Sequence, residues 1–489
     1  MRGCVPLDIG ARCAKGWRLA GGPGRMHVYF LGIAGAGMSA LASVLVSEGH
    51  QVSGCDDGVF PPVSTYLDRL GVRYDVGFGT LAPADVDLAI VGGSAKLNLA
   101  DNPVLADLVR RGVPRHSFAE YLGVHTRDRE NVVITGSFGK STLTAMCAAF
   151  LREAGHDPGY FIGAVPLDLP TTGHAGTDPL FLIEGDEYIV GADDRRSKFE
   201  LYHPRHSLIS SLVHDHVNVF PTMEGYEAPF GVLIGMVPQD GLLVCAHAYE
   251  PLRRLTQGRD VVWYGLEPCL GYFAQDIKVG EVTRFVLHTP RGQTLALETP
   301  LLGLHNIENI VGAAALLLEL GRIDAAALQR AVPRFRGVER RLDKKTTASR
   351  VPAYEGFGSS YEKARSAIEA MQLHFPERPL VVVFEPHTFS WRNEDALPWY
   401  DSVFEGVSRV LLLPPPQHGA ATHHQLSHGD IAARIGLAGI AVSPLAGRQA
   451  VLDDLQAGLK GDEVVLLLSS GPLDGLVEPL PRMLEARFG

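Results

Sequence analysis

The sequence is short of cysteine, of long apolar runs and of positive charge. Its six cysteines are scattered over 489 residues and form no Cys-x-x-Cys pair. This spacing excludes a disulfide framework and favours reduced thiols in a cytoplasmic protein. No run of about 18 apolar residues occurs, so the sequence predicts no membrane-spanning helix. Lys and Arg number 44 against 55 Asp and Glu, and the resulting formal charge of −11 argues against a nucleic-acid-binding protein.

Glycine, by contrast, is abundant. The chain has 54 glycines, whereas average usage of roughly 7% would give about 34 in a chain of this length. No low-complexity tract or internal repeat accounts for the surplus, so we expect glycines at many tight turns. The first 25 residues are also rich in glycine and lack the apolar core of a signal peptide. We expect these residues to form a flexible tail.

Three successive sets of strands and helices follow Met26. Apolar runs at 27–31 and 131–135 each lead into a glycine turn and a helical pattern, which is typical of βαβ units with parallel sheets. Further apolar runs at 380–386 and 463–470 belong to a third set, and the length corresponds to about three domains. We therefore predict an α/β fold with a Rossmann-like N-terminal domain, a central P-loop ATPase domain with a mostly parallel sheet, and a Rossmann-like C-terminal domain. The predicted boundaries are 1–25 for the tail and 26–125, 126–333 and 334–489 for the three domains.

The segment GSFGKST, residues 136–142, has the context of a phosphate-binding loop. It follows an apolar strand and opens a helix, so its backbone N–H groups can surround an anion at the helix N-terminus. Lys140 would supply a positive charge to the β- and γ-phosphates, and the Ser141 hydroxyl would bind Mg²⁺. The loop is shorter than the usual GxxxxGK[ST] pattern, since Ile134 stands where that pattern has its first glycine.

Acidic and histidine side chains follow two apolar strands of the same domain. Glu184 ends the run 181–184, and His214, Asp215 and His216 follow the run 207–213. The carboxyl ends of parallel strands are where ligands bind in open sheets. Glu184 is therefore a candidate Mg²⁺ ligand, with an ordinary surface carboxylate as the alternative. A second metal or phosphate contact near His214–His216 competes with a purely structural histidine.

A second glycine turn lies nearer the N-terminus. Gly32, Gly35 and Gly37 follow the first strand, and Asp56 ends the second. The spacing is GxxGxG rather than GxGxxG, so the pattern favours a nicotinamide dinucleotide only weakly. Two nucleotide-type turns in one chain suggest that one domain holds a nucleotide-linked substrate while the next holds ATP.

Four segments together resemble one protein family, the Mur ligases, which are ATP-dependent amide-forming enzymes of bacterial cell-wall synthesis. The resemblance extends from Met26 to the C-terminus. It is carried by GIAGAGMSALA (32–42), GSFGKST (136–142), LHNIENIVGAAAL (304–316) and GVERRLD (337–343).

Within that family the chain is most similar to the branch that recycles cell-wall peptide. The likeness lies in the segments 60–67, 184–205, 214–226 and 469–476. It implies a cytoplasmic acid–amino-acid ligase that uses ATP and Mg²⁺ to join UDP-N-acetylmuramate to L-Ala-γ-D-Glu-meso-diaminopimelate through an acyl phosphate. Three alternatives stay open: a ligase for L-alanine, a Mur-like ligase for another acid and amine, and a nucleotide-binding regulator without turnover.

The resemblance also implies roles for individual residues. Lys140, Glu184 and His216 would form the catalytic centre, with Mg²⁺ bound by Ser141, Glu184 and His216. The residues implied for ATP are Gly136, Gly139, Lys140, Ser141, Thr142, Asn306, Asn309, Arg340 and Arg341. The residues implied for the UDP-linked substrate and the peptide are Gly35, Gly37, Met38, Asp56, Arg196, Lys198, His387 and Arg392. For Arg196 and Lys198 a solvated loop is an equally good interpretation.

Several positions depart from the family pattern. Phe230 stands where several Mur ligases have a carbamylated lysine. At the start of the third domain, relatives resemble D-[FY]-[AG]-H-[HS]-P, but this chain has Gly356 for the aspartate and Ser359 for the histidine. Glu355 is one residue too early to replace the aspartate, since successive side chains of a strand point to opposite faces. The departures motivate the alternative of a ligase with another substrate pair.

Overall fold

The computed structural model describes residues 24–60, 63–94, 96–191, 194–215, 219–416 and 425–489. The predicted tail lies almost entirely outside these ranges, as does His216. Three sheets follow one another along the chain, and they fall within the ranges predicted for the three domains. The predicted α/β class with three domains is confirmed. In the described part of the chain, no helix combines the length and the apolar character needed to cross a membrane.

The N-terminal sheet has five parallel strands in the order β3-β2-β1-β4-β5. This order reverses between β1 and β4, so the carboxyl end of β1 is a topological switch point where ligands bind in such sheets. The strands are β1 (His27–Leu31), β2 (Gln51–Asp56), β3 (Arg73–Val76), β4 (Leu88–Val91) and β5 (Arg115–Ser117), and the helices are α1 (Ala36–Ser47), α2 (Val63–Arg69), α3 (Pro103–Arg110) and α4 (Phe118–His125).

The central sheet has ten strands in the order β15-β14-β13-β12-β11-β10-β6-β9-β7-β8. Its middle is parallel, and antiparallel strands extend it at both ends. The strands are β6 (Glu130–Thr135), β7 (Gly159–Phe161), β8 (Gly173–His174), β9 (Leu180–Glu184), β10 (His206–Ile209), β11 (Leu243–Ala246), β12 (Val262–Gly265), β13 (Tyr272–Lys278), β14 (Thr283–His288) and β15 (Thr294–Thr299). The helices are α5 (Lys140–Glu153), α6 (Met223–Met236), α7 (Glu250–Leu255), α8 (Leu304–Glu319) and α9 (Ala325–Ala331).

The strand predicted at 207–213 is shorter than expected, because β10 ends at Ile209. Beyond it, the N–H of Ser210 still donates to the carbonyl of Thr135 at the end of β6 at 2.8 Å, and Ser211 bonds to the phosphate loop. The N–H of Ser137 donates to the carbonyl of Ser211, and the N–H of Phe138 donates to the Ser211 hydroxyl at 2.8 Å. The residues that follow β10 therefore support the phosphate loop and are not part of the strand.

The C-terminal sheet has six strands in the order β16-β17-β21-β18-β19-β20, parallel except for β16. The strands are β16 (Arg341–Lys344), β17 (Ala353–Gly356), β18 (Leu380–Phe384), β19 (Arg409–Leu412), β20 (Val442–Pro444) and β21 (Val464–Leu468). The helices are α10 (Tyr361–His374), α11 (Phe389–Arg392), α12 (His428–Leu437), α13 (Arg448–Gly458) and α14 (Pro479–Phe488).

The apolar cores cross the domain boundaries. Phe30 and Met38 of the N-terminal domain belong to one buried cluster with Phe161 and Phe181 of the central domain. Leu302, just before α8 in the central domain, packs into the main core of the C-terminal domain. Buried apolar area contributes roughly 25 cal/mol per Å², so these shared cores favour one defined arrangement of neighbouring domains.

Candidate active site

The phosphate loop closes tightly around the N-terminus of α5. Gly139 caps the helix with φ +84°, a backbone conformation that a side chain disfavours. A Cβ at this position would also lie 2.8 Å from Oδ1 of Asn309, so α8 packs directly against the loop. Gly136 and Thr142 complete the predicted loop, and Thr142 is buried in the first turn of α5. The geometry brings the predicted ATP residues of both segments together.

Lys140 is held by a buried carboxylate that the sequence analysis did not single out. Its Nζ lies 2.8 Å from Oε2 of Glu187 and donates to the carbonyl of Gly136 at 2.7 Å. The Glu187 side chain is fully buried, and the hydroxyl of Tyr226 donates to its Oε1 at 3.2 Å. The only sequence signal for Glu187 is the segment EGDEY, residues 184–188. It has three acids in four positions and does not show which of them reaches Lys140. In this structure Glu187 and the carbonyl of Gly136 therefore orient the Lys140 ammonium within the phosphate loop.

Ser141 and Glu184 meet at the first turn of α5. The Ser141 hydroxyl donates to Oε1 of Glu184 at 2.7 Å, and the other carboxylate oxygen accepts the N–H of Gly163 at 2.6 Å. Arg341, the first residue of β16 in the C-terminal sheet, donates to the same Ser141 hydroxyl at 3.2 Å.

The pair of oxygen ligands fits Mg²⁺. This ion prefers hard oxygen atoms and usually takes only one or two protein carboxylates, with water and phosphate completing its coordination. The described residues contain no group of three or more His, Cys, Asp or Glu side chains placed to hold a metal. His216, the third predicted ligand, lies outside the described residues, so its role stays a prediction.

The predicted adenine residues lie on the first turns of α8. Asn306 and Asn309 are both buried, and Nδ2 of Asn309 donates to Oδ1 of Asn306 at 3.3 Å. Nδ2 of Asn306 donates to the carbonyl of Leu302 at 2.8 Å. These bonds fix both amide groups next to the phosphate loop, where they can offer a donor and an acceptor to an adenine edge.

The two arginines of the segment GVERRLD, residues 337–343, point in different directions. Arg341 reaches the phosphate loop, whereas Arg340, with φ +63°, donates to the carbonyls of Ser469 and Gly471 at 3.1 and 2.9 Å. Nε of Arg340 also lies 3.3 Å from the buried carboxylate of Glu355. The structure therefore places Arg340 against the C-terminal domain, and its predicted contact with nucleotide stays a prediction.

The structure also shows the surroundings of Gly356, which replaces the family's aspartate. A Cβ on Gly356 would face apolar side chains, with Cδ1 of Leu468 at 3.3 Å and Cβ of Ala367 at 3.5 Å. Glu355 points the other way, to Arg340 and to Lys345 at 2.7 Å. Glu355 therefore forms ion pairs on the face of the strand opposite to Gly356, as its position one residue earlier predicts.

The glycine turn of the N-terminal domain lies at the switch point of its sheet. Gly35 is the N-cap of α1, and the N–H of Ala34 donates to Oδ2 of Asp56 at 2.8 Å. A Cβ on Gly37 would touch the ring of Phe118 at 3.0 Å, and Met38 is buried beneath the turn. Gly35, Ala36 and Gly37 thus place no bulky side chain of their own at the α1 N-terminus, which suits an anionic group.

One cleft of about 1110 Å³ joins this turn to the phosphate loop. Among the predicted site residues, its lining includes Gly35, Gly37, Met38, Asp56, Lys140, Glu184 and Lys198. Nζ of Lys198 lies 2.5 Å from Oδ2 of Asp186, a second residue missed by the sequence analysis. Burial would raise the pKa of the Asp186 carboxyl, but Lys198 holds it below its usual range.

Three other predicted substrate residues lie apart from this cleft. Arg196 is mostly exposed and pairs with Asp194, with Nη2 2.6 Å from Oδ2. Arg392 is buried and donates to the carbonyl of Pro416 at 2.8 Å. His387 follows β18 and packs against Gly471, where an added Cβ would lie 2.1 Å from its ring. The substrate roles of these three residues stay predictions.

Comparison with known proteins decides the family. Residues 27–130 match the family described as "Mur ligase family, catalytic domain", and residues 134–317 match "Mur ligase middle domain". A UDP-N-acetylmuramate--L-alanine ligase from Roseiflexus sp. (strain RS-1) is 31% identical over 399 residues, covering 77% of this chain and 82% of that protein. The chain belongs to the Mur ligase family. This membership confirms the predicted resemblance and identifies the chain as an ATP-dependent amide ligase.

Solved structures of other Mur ligases share the fold. The UDP-N-acetylmuramate-alanine ligase of Thermotoga maritima superimposes with a TM-score of 0.76 at 20% identity, covering 94% of this Mur ligase and 100% of that chain. The UDP-N-acetylmuramate:L-alanyl-gamma-D-glutamyl-meso-diaminopimelate ligase of Neisseria meningitides is 28% identical, with a TM-score of 0.58, covering 65% of this chain and 100% of that one.

Proposed function

We propose that this Mur ligase phosphorylates the carboxyl group of UDP-N-acetylmuramate with ATP and joins it to the amine of L-Ala-γ-D-Glu-meso-diaminopimelate. The observation that carries the proposal is the continuous cleft between the α1 N-terminus and the phosphate loop. One end of the cleft has the α1 N-terminus, which suits the diphosphate of a nucleotide-linked acid. The other end has the phosphate loop, which suits ATP. The segment 469–476 and the 28% identity to the Neisseria enzyme support the peptide as the amine.

The N-terminal domain would bind the UDP-linked acid. Gly35 and Gly37 line the cleft at the start of α1, where the helix dipole favours a diphosphate. Asp56 lies beside this turn at the end of β2, within reach of a nucleoside. The muramoyl group would then extend toward Glu184 and Lys198 on the other wall of the cleft.

The central domain would activate the acid. Lys140 would exchange Glu187 for the β- and γ-phosphates, and a carboxylate oxygen of the substrate would attack the γ-phosphorus as ADP leaves. Mg²⁺ bound by Ser141 and Glu184 would neutralise phosphate charge. The peptide amine would attack the acyl carbon, lose a proton and expel phosphate. Positioning and charge stabilisation supply the rate, so no protein nucleophile is needed.

A second candidate amine is L-alanine. The curated relatives from Psychrobacter and Roseiflexus, at 26–31% identity, are UDP-N-acetylmuramate--L-alanine ligases. A third possibility is a different acid and amine pair, which Gly356 and Ser359 motivate because they replace the family's aspartate and histidine.

Phosphate release separates these functions. The purified enzyme is incubated with ATP, Mg²⁺ and UDP-N-acetylmuramate, and the added amine is the tripeptide, L-alanine or none. The mass of the product is determined by mass spectrometry. The proposal predicts amine-dependent release with the tripeptide and a product mass equal to the two substrates less water. Turnover with L-alanine alone would favour the second candidate. An absence of turnover with every acid and amine tried would contradict ligase function.

A further inference from the structure

We infer that His374 is a positioning residue through which the C-terminal domain fixes the ATP-binding end of α8. His374 is the last residue of α10 in the C-terminal domain, and its ring is buried. Both ring nitrogens bond to the backbone of the central domain. Nε2 accepts the N–H of Gly303 at 2.7 Å, and Nδ1 donates to the carbonyl of Gly280 at 2.7 Å.

Gly303 is the N-cap of α8, so its N–H lies at a helix end that lacks intrahelical partners. The residue has φ +89°, and an added Cβ would lie 2.4 Å from the ring of His305, so no side chain can cap the helix here. The imidazole of His374 therefore supplies the hydrogen-bond acceptor from another domain.

The bond to Gly303 leads directly to the proposed adenine contact. The carbonyl of Gly303 accepts the N–H of Asn306 at 3.0 Å. Nδ2 of Asn306 bonds to the carbonyl of Leu302, whose side chain is buried in the C-terminal core with Met371 of α10. The first turn of α8 is thus held from the C-terminal domain by one apolar and one polar contact. Loss of the polar contact frees Gly303 to shift, and Asn306 moves with it.

The two hydrogen bonds require a neutral ring with its proton on Nδ1, because Nε2 must accept. Burial lowers the pKa of His374, while the bond to the Gly280 carbonyl opposes that shift. Two titratable groups lie near His374. One is His305 on α8, whose pKa is lowered by burial and also by the positive charge of Arg341. The other is Glu281, which follows Gly280 and forms an ion pair with Lys344 at 2.7 Å. Protonation as the pH falls would remove the acceptor for Gly303 and weaken ATP binding.

The inference rests on the proposed ATP contacts of α8, and the test therefore measures binding of a non-hydrolysable ATP analogue by calorimetry, independently of turnover. His374→Phe fills the same space without hydrogen bonds. His374→Gln can accept from Gly303 and donate to Gly280, but it does not titrate near neutral pH. The control is His206→Phe, because His206 is equally buried and also bonds to a backbone N–H, at 2.9 Å from Leu242, but it lies at the start of β10, away from the phosphate loop.

We expect His374→Phe to weaken analogue binding about tenfold, the loss that corresponds to one well-formed hydrogen bond. His374→Gln should bind within about threefold of the wild type and lose the weakening at acid pH that the wild type shows. His206→Phe should bind like the wild type. Equal binding by His374→Phe and His206→Phe would overturn the inference. If His374→Phe does not fold, an acid weakening in His374→Gln as large as in the wild type would overturn it instead. Absence of ligase turnover alongside the expected binding pattern would contradict the proposed function and not this inference.

Discussion

Replacement of Lys140 should destabilise the enzyme as well as inactivate it. Lys140 is the partner of Glu187, whose carboxylate is fully buried, and its own side chain is only 16% exposed. In Lys140→Ala the carboxylate keeps the Tyr226 hydroxyl but loses its counter-charge. Removing one partner of a buried ion pair costs about 3–5 kcal/mol. Because Lys140 is partly exposed, we expect a value near the lower end, about 3 kcal/mol.

The double variant Lys140→Ala/Glu187→Gln separates the two effects. With both charges absent, the buried amide can still accept from Tyr226, so stability should return to within about 1 kcal/mol of the wild type. For a domain of the size of the central one, each kcal/mol of unfolding free energy shifts the melting temperature by roughly 2–4 °C. Lys140→Ala should therefore melt about 6–12 °C below the wild type, and the double variant only a few degrees below it.

Thermal melting and phosphate release measure the two effects independently. Both variants lack the ammonium that is proposed to bind phosphate, so both should lose about a hundredfold or more in turnover. Glu187→Gln alone is the matched control for the stability measurement. The reasoning is refuted if Lys140→Ala melts at the wild-type temperature, or if the second substitution restores none of the lost stability. Full turnover in either variant would show that the phosphate loop is misread.

Three further predictions concern the magnesium ligand Ser141 and two glycines at packed positions. Ser141→Ala should raise the Mg²⁺ concentration needed for half-maximal turnover by about tenfold, since one oxygen ligand is lost, and an unchanged Mg²⁺ titration would contradict this. Gly356→Asp should lower the melting temperature without strengthening ATP binding, because the new carboxylate would meet Leu468 and Ala367; tighter binding at unchanged stability would contradict it. Gly123→Ala should weaken UDP-N-acetylmuramate binding while an ATP analogue still binds, because the new Cβ would lie 2.1 Å from the carbonyl oxygen of Leu201 in the central domain. Calorimetry measures the affinity for each ligand separately. An equal loss of affinity for the two ligands would contradict this prediction.

The parts of the site that are local in sequence could be predicted. The phosphate loop, with Lys140 and Ser141, is recognisable because a strand, glycines and a helix must follow one another within a few residues. Glu184 could be predicted because it ends a buried strand beside that loop. The α/β fold followed from the same alternation of apolar runs and helical patterns.

The parts that depend on distant pairings could not be predicted. Glu187 is one of three neighbouring acids, and only the folded backbone shows which of them reaches Lys140. Arg392 carries the charge expected of a substrate ligand, and only the folded chain shows that its guanidinium donates to the carbonyl of Pro416. His374 contacts Gly303 across 71 residues and between domains, a pairing that no local pattern encodes.

The most direct test of the central claim is phosphate release from ATP by the purified enzyme in the presence of Mg²⁺ and UDP-N-acetylmuramate. The account predicts release that depends on the tripeptide L-Ala-γ-D-Glu-meso-diaminopimelate, with one amide product formed per phosphate. Phosphate release that is independent of UDP-N-acetylmuramate, or that no amine stimulates, would contradict it.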